Sequence, residues 1–245
     1  MVTAYDAWSA RLVGQSSVDA ILVGDSVAMV VHGHATTVSA TVPMMALHTA
    51  AVARAVPNKF LVADLPFLSY RRGLAAAIKA VGSLVRSGAH GVKLEGIEGH
   101  RHVIRQIVGS GVPVMGHVGL TPQSVNRLGG FRVQGREPGA ADRILRRAHD
   151  LEDAGCFAVV LECIPGELAA HITSELTIPT VGIGGGPCTD GQILVLQDLW
   201  GVSGDHVPRF VRRYADGNQL LTDALNRYDA DIKAARFPSA QESYS

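Results

Sequence analysis

Cysteine is scarce in this chain. Its 245 residues hold three, Cys156, Cys163 and Cys188, with no Cys-x-x-Cys spacing. That pattern excludes a disulfide framework and a cysteine-based zinc site, and it points to a reducing compartment. Aromatics make up only 5%, so the core must be aliphatic and alanine-rich, which suits helices packed on a parallel sheet. Net charge is absent, with 22 Lys and Arg against 22 Asp and Glu. A neutral chain lacks the basic footprint of a nucleic-acid binder. The pairs Arg71-Arg72, Arg146-Arg147 and Arg212-Arg213 are dispersed and read as solvated helix ends. No apolar run reaches the ~18 residues of a membrane-spanning helix. Met1 to Tyr5 shows neither the basic nor the apolar part of a secretory signal. No short repeat or low-complexity stretch divides the chain. The expectation is a cytoplasmic protein with no membrane or nucleic-acid partner, residues 1–245 forming one domain and the polar tail after Pro238 frayed.

What is present is a set of short apolar runs, each ending in a polar residue. Asp25 follows Ala20–Gly24, Asp64 follows Phe60–Ala63, Glu95 closes Gly91–Glu95, His117 follows Val112–Gly116, and Glu162 follows Phe157–Leu161. Such runs predict buried parallel strands. Val2–Tyr5, Ile178–Ile183 and Gln192–Leu196 supply a first, a seventh and an eighth. Helical patterns alternate with them: Thr41–Val56 with Pro43 in its first turn, Gly73–Ser87 closed by Gly88, Glu98–Gly109, Ala140–Ala154 and Pro165–Leu176. Eight strands alternating with helices predict an α/β fold, a (β/α)8 TIM barrel, whose typical length is about 250 residues. The Gly- and Pro-rich stretch Gly119–Gly139 predicts a long irregular loop over the barrel mouth.

In that fold the C-terminal strand ends converge on one mouth, where active sites sit. Asp25, Asp64 and Glu95 would meet there. Like charges about 4 Å apart repel by roughly 4 kcal/mol at an effective dielectric of 20, so three together require protons or a cation. An all-oxygen set selects a hard ion such as Mg2+. Asp25 and Asp64 are the expected direct ligands, and Glu95 acts directly or through water. Zinc fits poorly, because His117 stands alone. Lys93 shares a strand face with Glu95 and suits a substrate carboxylate, or else forms an exposed salt bridge. Glu162 beside apolar residues suits a general base whose pKa is raised; its other reading is a cap for the helix starting at Pro165. His117 either hydrogen-bonds a developing oxyanion or is a core histidine satisfied by backbone. Cys163 points away from the site and reads as a small buried hydrophobe. His32-x-His34 reads as surface loop. Gly182–Gly186 carries no basic residue and reads as close backbone approach more than as a phosphate loop.

Several stretches together resemble the 3-methyl-2-oxobutanoate (ketopantoate) hydroxymethyltransferase family. They include Val23-Gly-Asp-Ser26, Ala63-Asp-Leu-Pro-Phe67, Val92-Lys-Leu-Glu-Gly96, Gly116-His-Val-Gly-Leu-Thr-Pro-Gln-Ser124, Val133-Gln-Gly-Arg136, Leu161-Glu-Cys-Ile-Pro165 and Thr189-Asp-Gly-Gln-Ile-Leu194. The resemblance implies a barrel of the phosphoenolpyruvate/pyruvate-like superfamily that forms homo-oligomers, often decamers. It implies hydroxymethyl transfer from the folate co-substrate 5,10-methylenetetrahydrofolate to the keto acid 3-methyl-2-oxobutanoate, giving 2-dehydropantoate for pantothenate synthesis through a Mg-stabilised enolate. One Mg2+ per subunit would lie at Asp25, Asp64 and Glu95. Asp25, Ser26, Asp64 and Lys93 would contact the keto acid with His117 nearby, and Glu162 would accept the proton. The nearest rival is a magnesium-dependent lyase of the isocitrate lyase and phosphoenolpyruvate mutase kind, which would need a nucleophilic cysteine loop that is not found here. A catalytically silent barrel is the other.

Overall fold

A computed structural model describes residues 1–204 and 207–244. The chain forms two compact units, Met1–Val195 and Leu196–Ser245. The first is built on eight parallel strands, paired in chain order from β1 to β8. They are β1 (Val2–Thr3), β2 (Ala20–Val23), β3 (Phe60–Asp64), β4 (Gly91–Lys93), β5 (Val114–Gly119), β6 (Ala158–Glu162), β7 (Thr180–Ile183) and β8 (Gly191–Gln192). A parallel bridge between Val2 and Leu194 joins the two edges. The Met1 ammonium also donates to the Gln192 carbonyl at 2.8 Å. Closing the sheet in this way leaves no free edge, and the architecture is the (β/α)8 barrel expected from the strand–helix alternation.

The register fixes which side chains line the interior. Leu22 pairs with Val62, Lys93 with Met115, and His117 with Val160. Leu22, Val62, Met115, Ala158, Val160, Val181 and Ile193 form one buried cluster. Because strand side chains alternate with period two, the residues two further along β3, β5 and β6 share that inward face. These are Asp64, His117 and Glu162. The pleat that buries the aliphatic layer therefore also points the polar residues toward the axis at the mouth.

The helices follow local chemistry. Helix Val42–Ala55 starts where the Thr41 hydroxyl accepts the Met44 N–H at 3.3 Å, with Pro43 in its first turn. Helix Leu74–Arg86 is followed by Gly88 at φ 106°, and helix Gly166–Glu175 follows β6. Several boundaries differ from expectation. The helix after β4 begins at Arg101, because the His100 N–H closes a turn onto the Ile97 carbonyl first. β1 stops at Thr3. β8 keeps only two residues, although Ile193 N–H still donates to Gly182 O and Leu194 O accepts from Thr3 N–H. The stretch expected to be irregular between 119 and 139 is partly helical, with turns at Pro122–Ser124 and Val125–Leu128, and the next helix starts at Pro138. Pro at a helix N-terminus loses no hydrogen bond, so a proline there opens a helix as readily as it marks a loop.

The second unit contains helices Leu196–Trp200 and Gly217–Lys233 and a short turn at Ala240–Glu242. That last turn carries a capping box between Ser239 and Glu242. Among the described residues no helix is long and apolar enough to cross a membrane.

Candidate functional site

Asp25 lies two residues beyond β2, Asp64 ends β3, Lys93 ends β4 with Glu95 two residues on, His117 lies within β5, and Glu162 ends β6. All except Glu162 are buried, and the Glu162 side chain keeps 17% of its surface. Asp64 holds two partners at once. One oxygen accepts the Asp25 backbone N–H at 2.9 Å, and the other meets Lys93 Nζ at 2.8 Å. Lys93 therefore forms a buried ion pair, not an exposed salt bridge. Its Nζ also lies 3.4 Å from His117 Nδ1.

His117 bridges two acids. Nδ1 is 3.8 Å from Glu95 Oε1, and Nε2 is 3.2 Å from Glu162 Oε2 without the alignment of a hydrogen bond. The ring is thus not a core histidine satisfied by backbone. Glu162 does not cap the following helix either. That helix has Pro165 at its N-cap and no side-chain cap, and Glu162 faces His117 instead. The residue after it, Cys163, adopts φ +47°, a conformation that costs a non-glycine residue free energy and persists only when neighbours impose it. Its N–H donates to Ile183 O and its C=O accepts from Gln134 N–H, both at 2.8 Å. Burial pushes its thiol up to about 12, which keeps it protonated and inert.

Charge here is unbalanced. Asp25, Asp64, Glu95 and Glu162 face the single ammonium of Lys93. Burial, and next the charge of Asp64, push the Asp25 carboxyl up to about 7 against the pull of Lys93 and Gln123. Burial and Asp25 likewise hold Glu95 well above the carboxylate range. For Lys93, burial acts downward but Asp64, Glu95 and Asp25 outweigh it, so the ammonium stays protonated. Burial, then Lys93, pull His117 below the usual imidazole value, which keeps the ring neutral. Such a group of acids is stable with shared protons or with a bound cation. The all-oxygen donors of Asp25 and Asp64 fit a hard divalent ion, which takes one or two protein carboxylates and completes its shell with water and substrate. Among the described residues no group of three or more His, Cys, Asp or Glu is clustered as a metal site. Gln123 links two of these acids. Its amide Nε2 donates to Asp25 Oδ2 at 2.8 Å, while its backbone N–H donates to Glu95 Oε2 at 3.0 Å.

Gln123 is one of several site residues that the sequence did not single out. Its Nε2 also donates to the Leu65 carbonyl at 3.0 Å, and its Oε1 accepts from the Tyr70 hydroxyl at 3.1 Å. Tyr70 lies 3.0 Å from the Glu95 carbonyl as well. Arg71, expected to be solvated, donates to the carbonyls of Glu98 and Glu95 at 3.1 and 3.3 Å and lies over the Tyr70 ring. The Tyr5 hydroxyl is 2.8 Å from Ser26 Oγ, which gives Ser26 a defined position at the edge of the acids. Tyr5 and Tyr70 are each 1% exposed, and a buried tyrosine usually spends its hydroxyl on a specific partner; that burial comes from the tertiary structure and is not marked in the sequence.

The chain is similar to known proteins along its length. A family model described as ketopantoate hydroxymethyltransferase matches residues 1–240. A Bdellovibrio bacteriovorus protein named 3-methyl-2-oxobutanoate hydroxymethyltransferase is 54% identical over 245 residues, covering 100% of this chain and 93% of its own. A Coxiella burnetii protein of that name is 52% identical over 239 residues, covering 97% and 90%. Among solved structures, 2,3-dimethylmalate lyase, a PEP mutase/isocitrate lyase superfamily member, superposes with a TM-score of 0.61 at 16% identity, covering 100% of this chain and 85% of that one. Phosphonopyruvate hydrolase in complex with oxalate and Mg++ gives a TM-score of 0.61 at 14% identity, covering 98% and 87%. These two likenesses concern the fold.

Proposed function

This chain belongs to the ketopantoate hydroxymethyltransferase family, and we propose that it transfers a hydroxymethyl group from 5,10-methylenetetrahydrofolate to 3-methyl-2-oxobutanoate, forming 2-dehydropantoate for pantothenate synthesis. The observation that carries this reading is the meeting of Asp25, Asp64, Lys93 and Glu95 with a partly exposed acid, Glu162, at one barrel mouth.

Asp25 and Asp64 would hold Mg2+, with Glu95 reaching it through water, and the ion when bound would polarise the keto acid's carbonyl and acidify its C3–H. Glu162 takes that proton, being the acid at the mouth that keeps solvent-accessible surface. His117, held neutral by burial and Lys93, lies with Nε2 3.2 Å from Glu162 Oε2, so the proton stays on Glu162. Lys93 supplies fixed positive charge for the substrate carboxylate, while Asp64 and His117 hold its Nζ in place. Ser26, positioned by Tyr5, contacts the keto acid at the rim. Water adds to the donor's methylene carbon and tetrahydrofolate leaves with its nitrogen protonated, freeing that carbon at the formaldehyde level; the C3 carbanion then bonds to it, and its oxygen takes a proton to become the hydroxyl. The working enzyme is a cytoplasmic homo-oligomer, expected to be a decamer, with one Mg2+ per subunit.

The first half of this reaction can be observed alone. With the protein, Mg2+ and 3-methyl-2-oxobutanoate in heavy water, NMR should show loss of the C3 proton signal that depends on the metal. Glu162→Gln should slow it at least 100-fold, the usual size of a general-base contribution. Exchange at the wild-type rate in that variant would retire Glu162 as the base, and no exchange in the wild type would retire the reaction.

A further inference from the structure

Beyond the acid mouth, a cavity of about 290 Å³ is lined by Gly119, Thr121, Gln134, Arg127, Arg143 and Arg147, and no acidic residue lines it. Arg147 is paired with Glu98. Among the described residues Arg127 and Arg143 have neither a hydrogen bond nor an ion pair. Two free guanidinium groups on one polar cavity form a fork-shaped anion receptor, suited to carboxylates.

The cavity is built onto the same backbone as the site. Gly119 is the register partner of Glu162, and Leu120 N–H donates to the Glu162 carbonyl at 2.8 Å. Thr121 leads into Gln123, which holds Asp25 and Glu95. On the other wall, Gln134 N–H is bonded to Cys163 O. Acids thus occupy the mouth and arginines the adjoining cavity. A molecule with an anionic tail is repelled by the first and held by the second, which orients its uncharged end toward Glu162. Pockets that enclose a whole drug-sized ligand run from about 300 to 1,000 Å³, so this cavity takes one arm of a larger molecule.

We propose that this cavity is a carboxylate subsite, in which Arg127 and Arg143 hold the glutamate end of the one-carbon donor. The assignment rests on the transfer reaction proposed above for the donor's identity, but binding tests it without turnover. Affinities would be measured by calorimetry for tetrahydrofolate with one glutamate, with five glutamates, and for tetrahydropteroate, which has none. Wild-type protein should bind the glutamylated forms more tightly than tetrahydropteroate. Arg127→Ala and Arg143→Ala should each weaken the glutamylated forms about tenfold, the loss of one charge-assisted hydrogen bond, and leave tetrahydropteroate unchanged. Arg143→Lys should recover part of the loss. C3 proton exchange of the keto acid should stay at wild-type rate in all three variants, which also reports that they are folded. Equal affinities for all three ligands in the wild type would overturn the proposal, as would an equal loss for tetrahydropteroate in the variants. Arginine-dependent binding of inorganic phosphate with no preference for glutamylated folate would also overturn it. Failure of exchange in the wild type would count against the reaction and leave the binding comparison to decide the subsite.

Discussion

Replacing Gln123 by leucine removes one side chain's polar atoms at nearly constant volume, and its cost can be worked from the structure. The amide N–H groups are spent on Asp25 Oδ2 at 2.8 Å and on the Leu65 carbonyl at 3.0 Å, at a residue 7% exposed. A hydrogen bond to a charged group contributes about 1.5–3 kcal/mol and a neutral one about 1 kcal/mol. The Tyr70 hydroxyl keeps the Glu95 carbonyl, and the backbone N–H to Glu95 Oε2 survives, so neither adds to the loss. The expected destabilisation is about 2.5–4 kcal/mol, or about 5–15 °C in Tm for a chain of this length. Because the leucine fills the space, a cavity cannot account for it. Thermal unfolding would be followed by circular dichroism. Calorimetric titration of Mg2+ should show weaker binding in the variant, since Asp25 would lose the donor that helps keep it ionised. If Gln123→Leu melted within about 1 °C of the wild type and bound Mg2+ equally well, Gln123 would not be the strut that joins the acids.

Two further outcomes follow from particular atoms. Gly119 sits at φ +92°, and a Cβ there would lie 2.2 Å from the Glu162 carbonyl oxygen; because that neighbour is backbone, Gly119→Ala should cost about 3 kcal/mol or more and displace Glu162, seen as a lowered Tm together with slowed C3 exchange, and a variant with native Tm and exchange would refute the tight approach. His100 is buried, and burial, then Arg71, hold its pKa below the usual value. It stays neutral in the fold while the unfolded chain protonates near pH 6.5, so its contribution is present above about pH 6.5 and is lost as pH falls toward the folded value. Wild-type Tm should therefore fall more steeply than that of His100→Asn between pH 7 and pH 5, and parallel curves would remove His100 as a contributor.

The sequence by itself determined the strand-and-helix alternation and which polar residues close the strands. Aliphatic runs of strand length ending in Asp, Glu or His are local signals, because burying such a run and then a charge constrains where the chain can go. Hence Asp25, Asp64, Lys93, Glu95, His117 and Glu162 were legible as residues of one mouth before any coordinates. Element boundaries were less legible, because the apolar run from Gln192 to Leu196 crosses from β8 into the next helix and nothing in its composition marks the break. Tertiary structure alone decided the partners. Whether Lys93 meets solvent or Asp64, whether Glu162 caps a helix or faces His117, and whether Arg71 is free or bound to Glu95 and Glu98 all depend on register between strands far apart in the chain. Gln123 shows the physical reason most directly. Its amide joins Asp25, 98 positions away, to Leu65 and Tyr70, and a hydrogen bond closed across that span leaves no periodic trace in the sequence between its ends.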